Sequence, residues 1–124
     1  WNSPDRFPFL IYAGTRIAGF VLVNSETYLW NGDARSIAEF FVLRKYRRQG
    51  IGRIAAFRIF DMFPGKWEVR EIPENLAGQA FWRRVIAEWT GGHFQETVLD
   101  NECWRGPVQT FSSVAGSGES EDSR

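Results

Sequence analysis

The 124-residue chain holds one cysteine, one histidine and one methionine. A lone Cys103 cannot close an intramolecular disulfide and cannot supply a cysteine-based zinc site. A lone His93 removes His-rich metal sites and paired-histidine chemistry, so no metal is expected. Neither sign of charge is in excess: 15 Lys and Arg face 15 Asp and Glu, for a formal net charge of zero. That disfavours a generally basic nucleic-acid binder, although a local basic patch stays open. No apolar run approaches the roughly 18 residues of a membrane span. The start, Trp1-Asn2-Ser3-Pro4-Asp5, lacks the basic and apolar regions of a signal peptide. It also lacks an initiator Met, so residues are expected upstream. One free cysteine suits a reducing compartment, and a cytoplasmic location is the expectation.

What the chain does hold is aromatic bulk: six Trp, three Tyr and eleven Phe. A disordered chain would not carry that load, and the length suits one domain. Only the end changes character, to a small polar run from Val114. We expect residues 1–113 to form the domain and 114–124 a disordered tail.

Phe9 to Tyr12 and Ile17 to Val23 read as a hairpin across Gly14-Thr15. Asn31-Gly32-Asp33 is a turn signal. Ile37 to Leu43 is a short apolar run, expected to be a strand covered on both faces. Gly52 to Phe63 has helical spacing, with Ile51, Ala55, Ile59 and Met62 or Phe63 on one side and Arg53, Arg58 and Asp61 opposite. Pro64-Gly65 stops it. Trp67 to Ile72 alternates as a strand. Asn75 is placed as the N-cap of a second helix running to about Trp89, with Phe81, Val85 and Trp89 in one row beside Trp82 and Ile86. Phe94 to Leu99 and Trp104 to Phe111 complete the order ββ-β-α-β-α-β-β. The fold class is α+β, a mixed sheet with helices packed on it.

The chemistry concentrates between Ala38 and Arg53. A strand runs into a basic, glycine-containing turn, and a helix begins there. A helix N-terminus presents unsatisfied N–H groups and partial positive charge. Gly50 and Gly52 remove side chains that would block a ligand from the backbone. The amides of Arg48 to Arg53 could then converge on a phosphate, with Arg44, Lys45, Arg47, Arg48 and Arg53 adding positive potential. The plainer alternative is a glycine turn with solvated arginines. The missing Gly-Lys-Ser/Thr excludes a P-loop, and the missing third glycine excludes the dinucleotide fingerprint.

The run Arg47-Arg48-Gln49-Gly50-Ile51-Gly52 resembles the pyrophosphate-binding motif of the GNAT N-acetyltransferase superfamily, Gln/Arg-x-x-Gly-x-Gly/Ala, in the same strand–turn–helix setting. Asn75-Leu76-Ala77-Gly78-Gln79-Ala80-Phe81-Trp82 is similar to the family's second-helix signature. The resemblance covers about residues 9 to 111, and Glu39 to Gly52 with Pro64-Gly65-Lys66-Trp67 looks like a group of uncharacterised bacterial acetyltransferases. It implies a mostly antiparallel sheet with splayed central strands and flanking helices. It also implies acetyl-CoA as acyl donor, lying between the strand ending at Leu43 and the strand containing Val69. Backbone groups of Phe41 and Val42 would pair with the pantetheine arm, an amide there (that of Val42) would polarise the thioester carbonyl, and Asn75 would contact pantetheine. Arg47, Arg48, Gln49, Gly50, Ile51, Gly52 and Arg53 would surround the pyrophosphate.

Two departures stand out. The strand and one or two helices that precede the hairpin in the family are expected to be missing. The position where many relatives carry a proton-donating Tyr holds Trp82, which cannot donate near neutral pH.

Glu39 is the candidate catalytic group. By alternation it shares a face with Ile37, Phe41 and Leu43, where a carboxylate is costly unless paired or wet. It could deprotonate an acceptor ammonium, directly or through water. The alternative is a strand-end Glu paired with an Arg. Glu68, Arg70 and Glu71 could line the acceptor cleft or form cross-strand ion pairs. His93, Cys103 and Tyr46 read as structural, as do Trp67, Trp82, Trp89 and Trp104 in a core or lid. Trp1 and Trp30 would cover surface or face the missing segment.

The leading expectation is an acyl-CoA-dependent N-acyltransferase acting on a primary amine by direct attack. A non-catalytic acyl-CoA-binding or regulatory module is the second reading, and nucleic-acid binding through Arg44 to Arg53 the third. Apolar surface left by the missing elements calls for a partner segment or a homodimer.

Overall fold

The computed structural model describes residues 6–29 and 34–113. Trp1, Trp30, the expected turn at Asn31-Gly32-Asp33 and the expected tail lie outside them. The elements are β1 (Phe7–Ala13), β2 (Arg16–Asn24), β3 (Ala34–Val42), a single 3-10 turn (Arg44–Tyr46), α1 (Ile51–Met62), β4 (Gly65–Arg70), α2 (Leu76–Thr90), β5 (Gln95–Asp100) and β6 (Arg105–Ser113). They follow the expected order. Six strands form one sheet in the order β1-β2-β3-β4-β6-β5. Every neighbouring pair is antiparallel except β3 and β4.

That parallel pair is short. Ala34, Arg35 and Ser36 face Lys66, Trp67 and Glu68, and no further residues pair. Beyond them β3 and β4 diverge, so the sheet splits into two arms, as the expected splay requires. A β-bulge lies at the point of divergence: Leu22 pairs with Glu39 and Val23 with Ile37, which leaves Ala38 unopposed.

Both helices pack on one face of the sheet. Ala56, Ile59 and Phe60 of α1 and Trp82, Val85, Ile86 and Trp89 of α2 share a core with Ile11, Val21, Val23, Ile37, Trp67, Val69 and Phe111. Phe60 is its hub, with ring contacts to Trp67, Trp82, Trp89 and Phe111 at 4.9–6.2 Å. Of the expected row Ile51, Ala55, Ile59 and Met62 or Phe63, Ile59 is buried and Ile51, Ala55 and Phe63 pack partly buried against the core. Met62 is instead exposed, and the buried row runs through Ala56, Ile59 and Phe60.

The opposite face is treated differently along the sheet. On β1, β2 and β3 it is open: Leu10 and Tyr12 are 58% and 55% exposed, and Phe20 and Phe41 meet at 6.0 Å with both rings partly in solvent. The expectation that residues 37–43 would be covered on both faces is therefore corrected. Ala38, Glu39, Phe41 and Leu43 are exposed, because none of the described elements lies over that side. On β4 the same face is covered by the segment after β2, where the amides of Tyr28 and Leu29 donate to the buried Glu68 carboxylate at 2.8 and 2.9 Å.

Candidate active site

The site is built around the gap between the diverging ends of β3 and β4. β3 feeds it from one side. Leu43 N–H donates to Ala18 O at 2.7 Å, towards β2. Backbone groups alternate in direction along a strand, so Phe41 points the same way and Val42 the opposite way, into the gap. The position of Gly19 agrees: a Cβ there would lie 1.9 Å from Phe41 O. Sequence reasoning paired both residues with the pantetheine arm. Among the described residues Val42 N–H has no acceptor, and the Phe41 carbonyl turns towards β2. Val42 O is occupied, accepting from Arg47 Nε at 2.8 Å, while the Arg47 guanidinium lies over the Phe41 ring. Arg47 thus fastens the loop to the strand.

The loop then turns sharply. Arg48 has φ 65° and Gly50 φ 81°, both left-handed. Gly50 is the N-cap of α1, no side chain caps the helix, and its first turn carries no acidic residue. The first helical hydrogen bond runs from Ile54 N–H to Gly50 O. The amides of Ile51, Gly52 and Arg53 precede it and have no intrahelical acceptor. A Cβ built on Gly50 meets nothing within 4 Å, so the space beside these amides is open. Gly52 also has a packing purpose. Its Cβ would lie 3.3 Å from the Phe81 ring, so it permits close approach of α1 to α2.

The basic side chains are less concentrated than their spacing suggests. Arg53 Nε donates to Glu88 of α2 at 2.7 Å, and its guanidinium covers Phe57. Gln49 Nε2 donates to Lys45 O. The helix-side wall of the gap is aromatic: Phe40 packs on Phe81 and Trp82 at 5.6 and 4.9 Å. Trp82 is buried there. Asn75 is the N-cap of α2, as expected, its side chain accepting from Gly78 N–H at 3.0 Å.

Glu39 lies beside the gap, on the exposed face with Phe41. Ile37 is on the core face instead, because the bulge at Ala38 reverses the alternation between them. The costly apolar setting foreseen for Glu39 is absent. Glu68 and Arg70 do not line an open cleft either. They form an ion pair, 0% and 10% exposed. The Arg70 guanidinium lies 4.4 Å from the Tyr28 ring centroid and 5.4 Å from that of Trp104. Alternation marked neither partner, because Tyr28 comes from a loop remote in sequence. His93 and Cys103 sit in turns: His93 Nδ1 is 3.0 Å from Thr90 O, and Cys103 N–H donates to Asn101 Oδ1. Among the described residues no cluster could hold a metal ion, and no helix is long and apolar enough to cross a membrane.

Residues 1–86 match the model of the acetyltransferase (GNAT) family. The chain belongs to that family. Solved structures share its fold. The ribosomal-protein-S18-alanine N-acetyltransferase of Escherichia coli superposes with a TM-score of 0.64 at 15% identity, over 91% of this chain and 72% of that one. An acetyltransferase from Thermus thermophilus gives 0.68 at 13% identity, over 90% and 66%. A Bacillus subtilis acetyltransferase in complex with CoA gives 0.64 at 8% identity, over 87% and 77%. No curated protein sequence matches the chain.

Proposed function

We propose that this chain transfers an acetyl group from acetyl-CoA to a primary amine, in the cytoplasm. The observation that carries this reading is the pairing of two open donor sets at one end of the sheet. The uncapped amides of Ile51, Gly52 and Arg53 suit the pyrophosphate, with Gly50, Arg48 and the Gln49 backbone shaping the turn and Arg47 bracing it. The inward Val42 N–H suits the pantetheine arm and the thioester carbonyl. Asn75, through the amide group left free by its capping oxygen, would contact the same arm. The family membership and the CoA complex of the Bacillus subtilis neighbour support this assignment.

The chemistry asked of the protein is modest. The amine nitrogen bonds to the acyl carbon and releases its extra proton to solvent, the carbon–sulfur bond breaks, and CoA leaves as a thiolate that takes a proton from solvent. The chain aligns the two reactants and stabilises charge on the carbonyl oxygen through Val42 N–H. Glu39, on the exposed face beside the gap, accepts the proton of the acceptor ammonium, directly or through water.

A specific observation favours a second reading, a binding module without turnover: Trp82 replaces the proton donor and is locked against Phe40 in the core. An amine panel separates the two. Thiol release from acetyl-CoA with at least one primary amine, lowered by Glu39→Gln, is expected. Tight binding with no thiol release from any amine would overturn the transferase reading and leave the binding module.

A further inference from the structure

β4 leads into a carboxyl that the proposed reaction does not use. Glu71 is 4% exposed, and its partners lie on the side of β4 away from β3. Gln109 of β6, wholly buried, donates Nε2 to Glu71 Oε1 at 2.9 Å and to Glu96 Oε1 of β5 at 2.9 Å. Both amide hydrogens of Gln109 are then used. Glu96 is held further by Arg83 of α2, through two bonds of 2.8 Å. Arg83 is thus committed to Glu96.

Among the described residues no donor reaches two buried oxygens of this cluster, Glu71 Oε2 and Gln109 Oε1. A buried acceptor left unpaired is costly, and these two belong to the partners of one hydrogen bond. A single proton supplies both. We propose that Glu71 is held as a neutral carboxylic acid that forms a cyclic acid–amide pair with Gln109. Gln109 Nε2–H donates to Glu71 Oε1, and Glu71 Oε2–H donates to Gln109 Oε1. The second Nε2 hydrogen remains on Glu96. Every polar atom of the cluster is then satisfied, and Glu96 carries its only negative charge.

The electrostatic setting agrees. Burial pushes the Glu71 carboxyl up to about 7; the Gln109 bond opposes this, the negative Glu96 adds to it, and Arg83 opposes it. β6 brings only the neutral Gln109 to the carboxyl. A carboxyl raised in the folded state binds a proton there that the unfolded chain has already lost. Its contribution is full below the ordinary value of 4.5 and is lost as pH rises to about 7. Beyond that point a buried charge stands beside the negative Glu96, where the chain leaves β4 for α2.

The test is denaturant unfolding of the full chain and of Glu71→Gln, from about pH 5 to about pH 8. In the variant an amide N–H replaces the acid O–H, so the pair is retained without a titratable proton. The parent's midpoint is expected to fall as pH rises through this window, the variant's to fall clearly less, and the variant to equal or exceed the parent at the alkaline end. Parallel pH profiles, or a variant less stable than the parent at the alkaline end, would overturn the proposal. Carbon-13 NMR titration of the Glu71 carboxyl in the parent needs no variant. A midpoint well above the ordinary glutamate range supports the acid–amide pair, and a midpoint within that range refutes it.

Discussion

Strands β1, β2 and β3 and strands β4, β6 and β5 are joined through only three residue pairs, yet they meet solvent in opposite ways. The first arm buries one face under α1 and leaves Leu10, Tyr12, Phe20 and Phe41 of the other exposed. The second is covered on both faces of β4, and that cover encloses polar groups: Glu68 holds the loop after β2, and Glu71 holds β6 through Gln109. The comparison teaches where binding can occur. A ligand needs backbone groups that the protein has left unpaired, and the first arm supplies them at Val42 and at the start of α1. The second arm has committed the buried carboxylates of Glu68 and Glu71 to partners within the protein and forms the other wall of the gap.

Substitutions can break or sharpen this contrast. The largest effect is expected from Phe60→Ala, since Phe60 stands on the helix that covers the first arm and packs on Trp67 and Phe111 of the second. A loss of about 3–5 kcal/mol in urea unfolding is predicted, and it should weaken the two arms together. Glu68→Ala strips the cover from the second arm, leaving Arg70 without its buried partner and two loop amides without an acceptor. It should cost about 3 kcal/mol and make the segment around Tyr28 newly sensitive to limited proteolysis. Gly19→Ala acts on the first arm, where the new methyl collides with Phe41 O. It should cost about 1–3 kcal/mol and weaken acetyl-CoA binding by displacing β3. The smallest effect is expected from Arg53→Ala. The exposed pair with Glu88 contributes less than about 1 kcal/mol, and affinity for acetyl-CoA should hardly change, because the proposed contact is the Arg53 amide. A large loss of affinity would move the anion contact from backbone to side chain.

Much of this was legible in the sequence because it is local. Asn75 as a helix cap, the turn before Ile51 and the row Phe81, Trp82, Val85, Ile86, Trp89 each follow from residues a few positions apart. The bulge at Ala38 was not legible. Nothing in the apolar run 37–43 marks an extra residue, since it arises from the register against β2, and it moves Glu39 off the face of Ile37. The closure of the second arm was hidden for the same reason. Glu68 meets amides 39 and 40 residues away, and Glu71 meets Gln109 38 residues away. Local alternation records which side of a strand a residue faces, not what arrives to cover it.

The central claim is that the main chain at the start of α1 binds the pyrophosphate of acetyl-CoA. Calorimetric titration of acetyl-CoA into the parent, Gly50→Asn and Gly50→Asp tests it most directly. Asn and Asp both tolerate the left-handed backbone that Gly50 adopts and both cap helices, so they differ here in charge alone. The account predicts that the parent binds and that Asp binds at least about tenfold more weakly than Asn, a gap of about 1.4 kcal/mol. Equal affinities for the two variants, or no binding by the folded parent, would contradict it.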